Sequence, residues 1–206
     1  MNKILLAIVV CALVFSVGQA NAESKMSLSV GGDVLIPMGT FGDAVSTGFG
    51  GSVRGEYTIN PMFSAGLTLG YFTWSGKDFT EQGITVTGVS FKGVPVRVFG
   101  KYYFMPADQK MRVYGIAELG IFFGSTGEKT IDNPLYGLIP GEPQTITSGG
   151  GSSSDFNYAP GVGIEFPLGS GKTKLDISLR YDGIATSNGS SGSLGGRVGV
   201  NFPIGN

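Results

Sequence analysis

Apolar and polar residues alternate with a period of two along most of this chain, and glycine, proline, asparagine and serine interrupt the alternation. A period of two predicts β-strands with one apolar and one polar face. Beyond the first 22 residues, no stretch shows the periodicity of an amphipathic helix. The pattern predicts eight strands, at about residues 25–37, 48–59, 62–75, 91–104, 111–125, 157–168, 173–184 and 193–204.

The connections between these strands alternate between short and long. Tight turns follow the second, fourth and sixth strands, at residues 60–61, 105–110 and 169–172. The connections after the first, third, fifth and seventh strands are longer, at about 10, 15, 31 and 8 residues. Short turns at one rim and long loops at the other are typical of an up-and-down barrel inserted into a membrane from one side.

Alternation alone leaves open which face of the strands is outside, because a soluble lipocalin-like barrel has the same period. Three features favour an apolar exterior. Only 14% of residues are charged, against roughly 25% in a typical soluble domain, and the polar face is rich in Gly, Ser and Thr. Aromatic residues also lie on the apolar face near both strand ends, as in the girdles of membrane barrels. These are Phe49, Phe123, Tyr158 and Tyr181 toward the long loops, and Tyr57, Tyr102, Phe104, Phe166 and Phe202 toward the short turns. The sequence therefore predicts an all-β fold, an eight-stranded antiparallel up-and-down transmembrane β-barrel.

Residues 1–22 have the pattern of a secretory signal peptide. A short positive start at Lys3 precedes an apolar run, and small residues lead to a predicted cut after Ala22. About 14 apolar residues are too few to cross roughly 30 Å of hydrocarbon as a helix. We therefore expect a cleaved signal peptide at 1–22 and an outer-membrane barrel domain at 23–206. Secretion of the N-terminus and an even strand count then place both termini and the short turns in the periplasm.

Three segments resemble a known family. They are the signal peptide, the stretch Pro37-Met38-Gly39-Thr40-Phe41-Gly42 leading to Gly48-Phe49-Gly50-Gly51, and the final strand Gly196-Arg197-Val198-Gly199-Val200-Asn201-Phe202. Over the whole mature chain, the sequence is similar to the small eight-stranded outer-membrane barrels of Gram-negative bacteria, of the OmpA and OmpX type and the broader outer membrane protein beta-barrel domain group. The resemblance supports a fold class better than an individual protein.

This resemblance implies location in the outer membrane, contact with its lipids and lipopolysaccharide, folding by the barrel assembly machinery, and a monomer. Two departures matter. The family's final strand usually ends on an aromatic residue, whereas Phe202 is followed by four further residues. No domain follows the last predicted strand, so peptidoglycan anchoring of the OmpA kind is not expected.

The polar face carries a balanced set of charges that the barrel would turn into its lumen. Folding the connection between neighbouring strands symmetrically sets Arg97 opposite Glu118, Glu165 opposite Asp176, and Arg180 opposite Arg197. Because the last two pairs carry like charges, we expect their partners to come from across the lumen. Phe72, Trp74, Phe99 and Tyr103 are also predicted to point inward. The predicted lumen charges are Arg54, Arg97, Lys101, Arg112, Arg180 and Arg197 against Asp33, Glu56, Glu118, Glu165, Asp176 and Asp182. Two interpretations remain open: a polar plug, or a gated path for protons or ions.

Composition excludes much chemistry. The chain contains no histidine and has a formal net charge of −1, which excludes a His general base, a Ser–His or Cys–His nucleophile and a basic field for nucleic acid. The segment 169–173, Gly-Ser-Gly-Lys-Thr, resembles the end of a phosphate-binding loop, but a strand follows it where a helix is required. We expect no enzyme activity, no cofactor and no metal site.

The predicted loop at 126–156 is the candidate site for an unidentified surface ligand. It contains an apolar segment, Leu135–Pro140, and a flexible segment, Gly149–Ser154. It either binds a partner or the outer leaflet, or lacks a fixed structure. The leading functional hypothesis is a non-enzymatic outer-membrane protein with a structural or surface-interaction role. The alternatives are a narrow pore and a soluble barrel that carries a hydrophobic ligand.

Overall fold

The computed structural model describes residues 25–81, 84–86, 89–132, 143–169, 172–186 and 189–204. The signal-peptide prediction and the apolar loop segment at 135–140 lie outside these residues. Within them, no helix is both long and apolar enough to cross a bilayer. The elements are β1 (Met26–Met38), α1 (Gly39–Ala44), β2 (Gly48–Asn60), β3 (Phe63–Trp74), β4 (Phe79–Glu81), β5 (Ile84–Val86), β6 (Phe91–Tyr103), β7 (Arg112–Thr126), β8 (Lys129–Asp132), β9 (Thr145–Ser148), β10 (Ser152–Pro167), β11 (Lys174–Thr186) and β12 (Gly189–Ile204).

Eight of these strands form a closed antiparallel barrel, as the alternation predicts. The order around the barrel is β1–β12–β11–β10–β7–β6–β3–β2, and β1 returns to pair with β2. Closure is made by β1 and β12, which pair from Met26 opposite Ile204 to Met38 opposite Gly192. A closed sheet leaves no edge of unpaired N–H and C=O groups, which is the condition for crossing hydrocarbon with strands.

The two faces of the barrel have opposite polarity, with the apolar one outside. Val98 is 57% exposed, whereas its chain neighbour Arg97 is 2% exposed. The same contrast separates Val198, at 55%, from Arg197, at 1%. Water would disfavour such an exterior, while lipid favours it. The alternative of a soluble barrel with an apolar interior is therefore wrong.

The long-loop end contains structure that the sequence pattern did not predict. The helix α1 follows β1 directly. Its first residue, Gly39, has a positive φ of 59°, a conformation that favours glycine. Beyond the barrel, β4, β5, β8 and β9 form a separate four-stranded sheet. A six-residue helix and strands of three or four residues are too short to show a period, so alternation could not reveal them.

Two barrel strands are longer than predicted. β10 begins at Ser152, and β12 begins at Gly189, so that only residues 187 and 188 separate β11 from β12. The predicted eight-residue connection is therefore wrong. The added segments are rich in serine and glycine, yet they remain paired, with Ser152 opposite Ser125 and Gly189 opposite Thr186. Backbone hydrogen bonds extend a ladder whether or not its side chains alternate in polarity.

Candidate functional site in the barrel lumen

Alternate positions on the barrel strands place charged side chains in the lumen. All twelve predicted lumen charges are buried, with exposures of 8% or less. Six are basic and six acidic, so the set carries no formal net charge. β1 and β12 contribute Asp33 and Arg197, β2 contributes Arg54 and Glu56, β6 contributes Arg97 and Lys101, β7 contributes Arg112 and Glu118, β10 contributes Glu165, and β11 contributes Asp176, Arg180 and Asp182.

Glu118 lies at the centre of these charges and binds two arginines. One carboxylate oxygen is 2.8 Å from Nη2 of Arg54, and the other is 2.9 Å from Nη1 of Arg97. Arg97 extends the cluster to Asp182, whose Oδ1 is 2.6 Å from Nη2, and its Nε donates a hydrogen bond to Oδ1 of Asn157. A buried arginine therefore links carboxylates from two strands that are not neighbours.

Arg180 joins this cluster to the first strand. Its Nη2 is 2.8 Å from Oδ1 of Asp33, and its Nε donates to Oδ2 of Asp182 at 2.8 Å. The other oxygen of Asp33 accepts a 2.7 Å hydrogen bond from the Ser52 hydroxyl. A single guanidinium thus bridges β11 to β1, across the intervening strand β12.

Arg197 is held on several sides. Its Nη1 is 3.1 Å from Oδ1 of Asp176. Its Nε donates to the Ser52 hydroxyl at 2.8 Å, and its Nη2 donates to the Ser29 hydroxyl at 2.9 Å. Tyr114 donates to the second Asp176 oxygen at 2.7 Å.

Two glycines make the room that the Arg197 guanidinium occupies. A Cβ on Gly31 would lie 2.7 Å from Cζ of Arg197, and a Cβ on Gly199 would lie 2.5 Å from its Nη1. Both distances are below any normal contact. The planar group therefore lies against two backbone segments that only glycine leaves open at this height of the lumen.

Lys101 organises the short-turn end of the lumen. Its ammonium group is 2.7 Å from Oε2 of Glu56 and 2.8 Å from Oε1 of Glu165. The Tyr103 hydroxyl lies within hydrogen-bond distance of the same two carboxylates, at 3.1 and 3.0 Å. At the mouth, the partly exposed Lys174 reaches Glu165 at 3.4 Å. Lys101 is 1% exposed, so two strands supply carboxylates to a fully buried cation.

The ion pairs form one continuous network along the lumen. Asp176 makes the connection, since its carboxylate lies 3.7 Å from both Nη1 of Arg54 and Nζ of Lys101. Eleven of the twelve predicted charges belong to this network. The attraction between opposite charges in contact offsets the free energy that each group loses when burial removes its water.

Arg112 is the exception. Its Nη2 donates to the carbonyl oxygens of Pro61 and Met105, in two neighbouring short turns. Its guanidinium carbon lies 3.7 Å from the centre of the Tyr103 ring, a cation–π contact. No carboxylate of the described residues lies within ion-pair distance of it. Arg112 thus connects two short turns by hydrogen bonds and is not part of the ion-pair network.

The predicted opposition of Arg97 and Glu118 is wrong by two residues. Glu118 is paired with Phe99, and Arg97 is paired with Gly120. The two charged side chains still meet, because they lean along the strands toward each other. The error arises because the last pair before the turn is Tyr103 with Tyr114, and this turn is not centred where a symmetrical fold of 105–110 would put it.

Of the other two predicted oppositions, one is observed and one is not. Glu165 is opposite Asp176, as predicted. Arg180 is opposite Gly195 and not Arg197, again a difference of two residues. Glu165 and Arg180 take partners from strands that are not their neighbours, as expected, because Glu165 binds Lys101 of β6 and Arg180 binds Asp33 of β1. For Arg197 the expectation is wrong, since its carboxylate partner Asp176 lies on the neighbouring strand β11.

An aromatic layer lies across the lumen at the long-loop end. Phe72 and Trp74 are 1% and 2% exposed, which confirms that they point inward. Phe41 of α1 packs edge-on against Trp74, with ring centres 5.8 Å apart. The cavity left beside the layer has a volume of about 10 Å³, about the space for one water molecule. The buried members are Leu35, Val45, Phe72, Trp74, Phe122 and Ile184.

Large inward side chains are missing from the set predicted from the sequence. Tyr114, Phe122 and Asn157 are each 1% exposed or less, which equals the burial of the predicted Phe72. Strand parity was the available signal, since 114 and 122 share the parity of the inward Glu118, and 157 shares that of Glu165. The interior is therefore more aromatic than the predicted charges alone imply.

The opposite end of the lumen is open. A cavity of about 110 Å³ lies at the short-turn mouth, and we refer to it as the vestibule. Its charged lining residues are Glu56, Arg112, Glu165, Lys172 and Lys174. Within the described part of the chain, no group of three or more His, Cys, Asp or Glu side chains is placed to hold a metal ion.

A closed barrel with a lipid-facing exterior and a charged lumen defines a transmembrane β-barrel protein. Comparison with known families gives the same class. The chain matches the family model of the outer membrane protein beta-barrel domain over residues 7–202. It therefore belongs to the outer membrane protein beta-barrel family, lies in the outer membrane, and contacts its lipids.

Solved structures support the fold. Neisserial surface protein A is 17% identical, with a TM-score of 0.54, and the match covers 88% of this chain and 100% of that one. OprG from Pseudomonas aeruginosa is 12% identical, with a TM-score of 0.52 and coverages of 88% and 98%. A major outer membrane protein from Thermus thermophilus is 14% identical, with a TM-score of 0.50 and coverages of 86% and 98%. No curated protein sequence gives a significant match.

Proposed function

We propose that this protein is a non-enzymatic outer-membrane barrel with a lumen closed to solutes and a structural or surface-interaction role. The observation that carries the proposal is the filling of the lumen. A charge-balanced network occupies its length, and the aromatic layer above it leaves a cavity of only about 10 Å³. Eight strands enclose an interior just wide enough for side chains to fill.

The residues present also argue against catalysis. The chain has no histidine, and therefore has neither a His general base nor a nucleophile activated by His. The buried carboxylates that could act as bases are engaged by arginine or lysine, as Glu118 is by Arg54 and Arg97. Such pairing stabilises their charged form, and it leaves none of these buried carboxylates poised for proton transfer to a substrate.

The surface role is assigned to the long-loop end. There, α1 and the four-stranded sheet of β4, β5, β8 and β9 extend beyond the barrel. Ile146 on β9 is 49% exposed, in a part of the protein that the predicted topology places outside the cell. Loops supported on a rigid barrel are where specificity resides in such folds. We propose that the 126–156 region contacts an unidentified surface ligand or lipopolysaccharide.

Conduction by the purified protein tests the closed lumen. The barrel, folded in detergent, is added to a planar bilayer at neutral pH, and single-channel current is recorded. We expect little or no current from the unmodified protein. Steady, ion-selective openings would overturn the proposal and favour the alternative of a narrow pore.

The narrow pore has one specific observation in its favour. The ion pairs are continuous from the vestibule to Asp182, which lines the small cavity beside the aromatic layer. Rearrangement of these pairs would open a polar path. Under that alternative, current would depend on the network, and replacing a member such as Arg97 would change ion selectivity as well as conductance.

Loop replacement tests the surface role separately. Residues 129–148 are replaced by a short Gly–Ser linker, which leaves all eight barrel strands intact. We expect folding and outer-membrane level to be unchanged, with loss of cell attachment or autoaggregation. Unchanged attachment together with a leaky envelope in a deletion strain would favour a purely structural role.

Two further expectations have tests of their own. Sedimentation of the purified barrel tests whether the protein is a monomer. Depletion of the barrel assembly machinery tests whether the protein depends on it for folding.

A further inference from the structure

The charged side chains in the lumen form two groups that differ in formal net charge. Around Glu118 and Asp176, four arginines meet four carboxylates, and the formal charge is zero. These are Arg54, Arg97, Arg180 and Arg197 with Asp33, Glu118, Asp176 and Asp182. The remaining groups lie at the vestibule. Their balance differs because the vestibule is also lined by two lysines outside the predicted lumen set, Lys172 before β11 and Lys174 at its first position.

The vestibule, counted together with Lys101 behind its wall, has an excess of two positive charges. Three come from the lining residues Arg112, Lys172 and Lys174 and one from the buried Lys101, whereas the lining residues Glu56 and Glu165 supply two negative charges. Lys101 satisfies both carboxylates at 2.7 and 2.8 Å. Of the three cations at the cavity wall, Lys174 alone has an ion pair among the described residues, with Glu165 at 3.4 Å.

Arg112 has hydrogen-bonding capacity to spare in this wall. It is 8% exposed, and it donates from Nη2 to two turn carbonyls. Its buried Nε has no hydrogen-bond partner among the described residues. The Nε atom is enclosed and does not face the cavity, but Arg112 lines the cavity wall, where an anion would give the guanidinium group a charge-assisted hydrogen-bond partner.

The two lysines are placed to complete such a site. Lys172 is exposed, and the side chain of Lys174 is 40% exposed with a 3.4 Å contact to Glu165. Both line the cavity with Arg112, so cations approach it from a buried wall and from its rim. Polar groups of Ser27, Thr58 and Asn201 also line it. About 110 Å³ accommodates one tetrahedral anion with ordered water.

We propose that the vestibule binds a phosphate group, with Arg112 as the buried anchor and Lys172 and Lys174 as the rim cations. A dianionic phosphate matches the excess of two charges, and its oxygens accept from both guanidinium and ammonium donors. The group has two possible sources at the short-turn end: free phosphate or a phosphate monoester, and the headgroup of a phospholipid. The proposal does not depend on whether the lumen conducts.

Binding of inorganic phosphate tests the first source. The folded barrel in detergent is titrated by calorimetry at pH 7.5 and low ionic strength. We expect saturable one-to-one binding, weakened about tenfold or more in Lys172→Gln/Lys174→Gln, since each charge-assisted hydrogen bond contributes roughly that factor. Lys110→Gln is the matched control, because Lys110 is an exposed lysine at the same end and does not line the cavity.

Native mass spectrometry tests the second source. The barrel is extracted from vesicles of phosphatidylglycerol with phosphatidylethanolamine. Retention of one lipid by the unmodified protein and the Lys110→Gln control, but not by the double variant, supports a headgroup. Arg112→Gln is tested in the same way, and a heat-modifiability gel shows whether this variant is folded. If it fails to fold, the comparison of the Lys172→Gln/Lys174→Gln variant with the unmodified protein still tests the proposal. Absence of both phosphate binding and lipid retention overturns the proposal, as does equal loss in the Lys110→Gln control.

Discussion

Arg97 and Glu118 form a buried 2.9 Å salt bridge although they are not cross-strand partners. Glu118 stands opposite Phe99, two positions further along β6, and Arg97 stands opposite Gly120. The arginine therefore reaches the carboxylate diagonally, and Gly120 supplies no side chain that competes for the space. This diagonal contact leaves the other oxygen of Glu118 free to bind Arg54 of β2. Glu118 of β7 therefore connects two strands, β6 and β2, that are not neighbours of each other.

Removal of the Glu118 carboxylate should destabilise the barrel. In Glu118→Ala, Arg54 and Arg97 stay buried while each loses a carboxylate, so we expect a loss of about 3–5 kcal/mol in the free energy of unfolding. Urea unfolding of the protein in lipid vesicles measures it. Glu128→Ala, at an exposed loop glutamate, is the control and should change stability by less than about 0.5 kcal/mol. Equal stability of the two variants would falsify the role given to Glu118.

The space for Arg197 should be sensitive to a single methyl group. In Gly199→Ala, the new Cβ would lie 2.5 Å from Nη1 of Arg197. That guanidinium is fixed by Ser29, Ser52 and Asp176, so we expect a loss of about 1–3 kcal/mol from overpacking.

Gly196→Ala is the matched control for this substitution. Its Cβ would meet only Leu179 Cδ2, at an ordinary 3.7 Å. We expect its urea midpoint to stay close to that of the unmodified protein. A midpoint for Gly199→Ala that coincides with this control would show that Arg197 relocates freely.

The aromatic layer should contribute to both stability and closure. Phe122 is 1% exposed in the layer, whereas its neighbour Phe123 is 37% exposed toward lipid. Phe122→Ala should cost about 3–5 kcal/mol by leaving a cavity and should raise bilayer leakage. Phe123→Ala should leave leakage unchanged. If both variants conduct equally little, the layer is not what closes the long-loop end.

Proteolysis of intact cells should reveal the orientation of the barrel. With both termini and the short turns in the periplasm, added trypsin should reach only the long loops, including the bond after Lys129 of β8. Lys110 and Lys172, in the short turns, should be protected until the outer membrane is permeabilised. Mass spectrometry of the released peptides identifies the sites. Cleavage at Lys110 or Lys172 with Lys129 protected contradicts the predicted orientation.

The period of two was sufficient to predict the barrel and the contents of its lumen. Once Arg97 and Glu118 share a face with glycine and serine, and Val98 and Leu119 share the other, parity alone decides which side chains are buried together. The small number of charges then decides that the apolar face is outside, because lipid tolerates Val98 and Val198 where water would not. This information is local, carried by each residue and its neighbours along one strand.

Tertiary structure decided which charges touch. Arg180 binds Asp33 across β12, and Lys101 joins Glu56 to Glu165, contacts that depend on the stagger between strands and on barrel curvature. A turn that shifts the register by two residues preserves parity, so the burial pattern is unchanged while every opposing pair is replaced. Only the closed barrel therefore fixes the network, and only its mouth shows that Arg112 lines the vestibule while its Nε has no hydrogen-bond partner among the described residues.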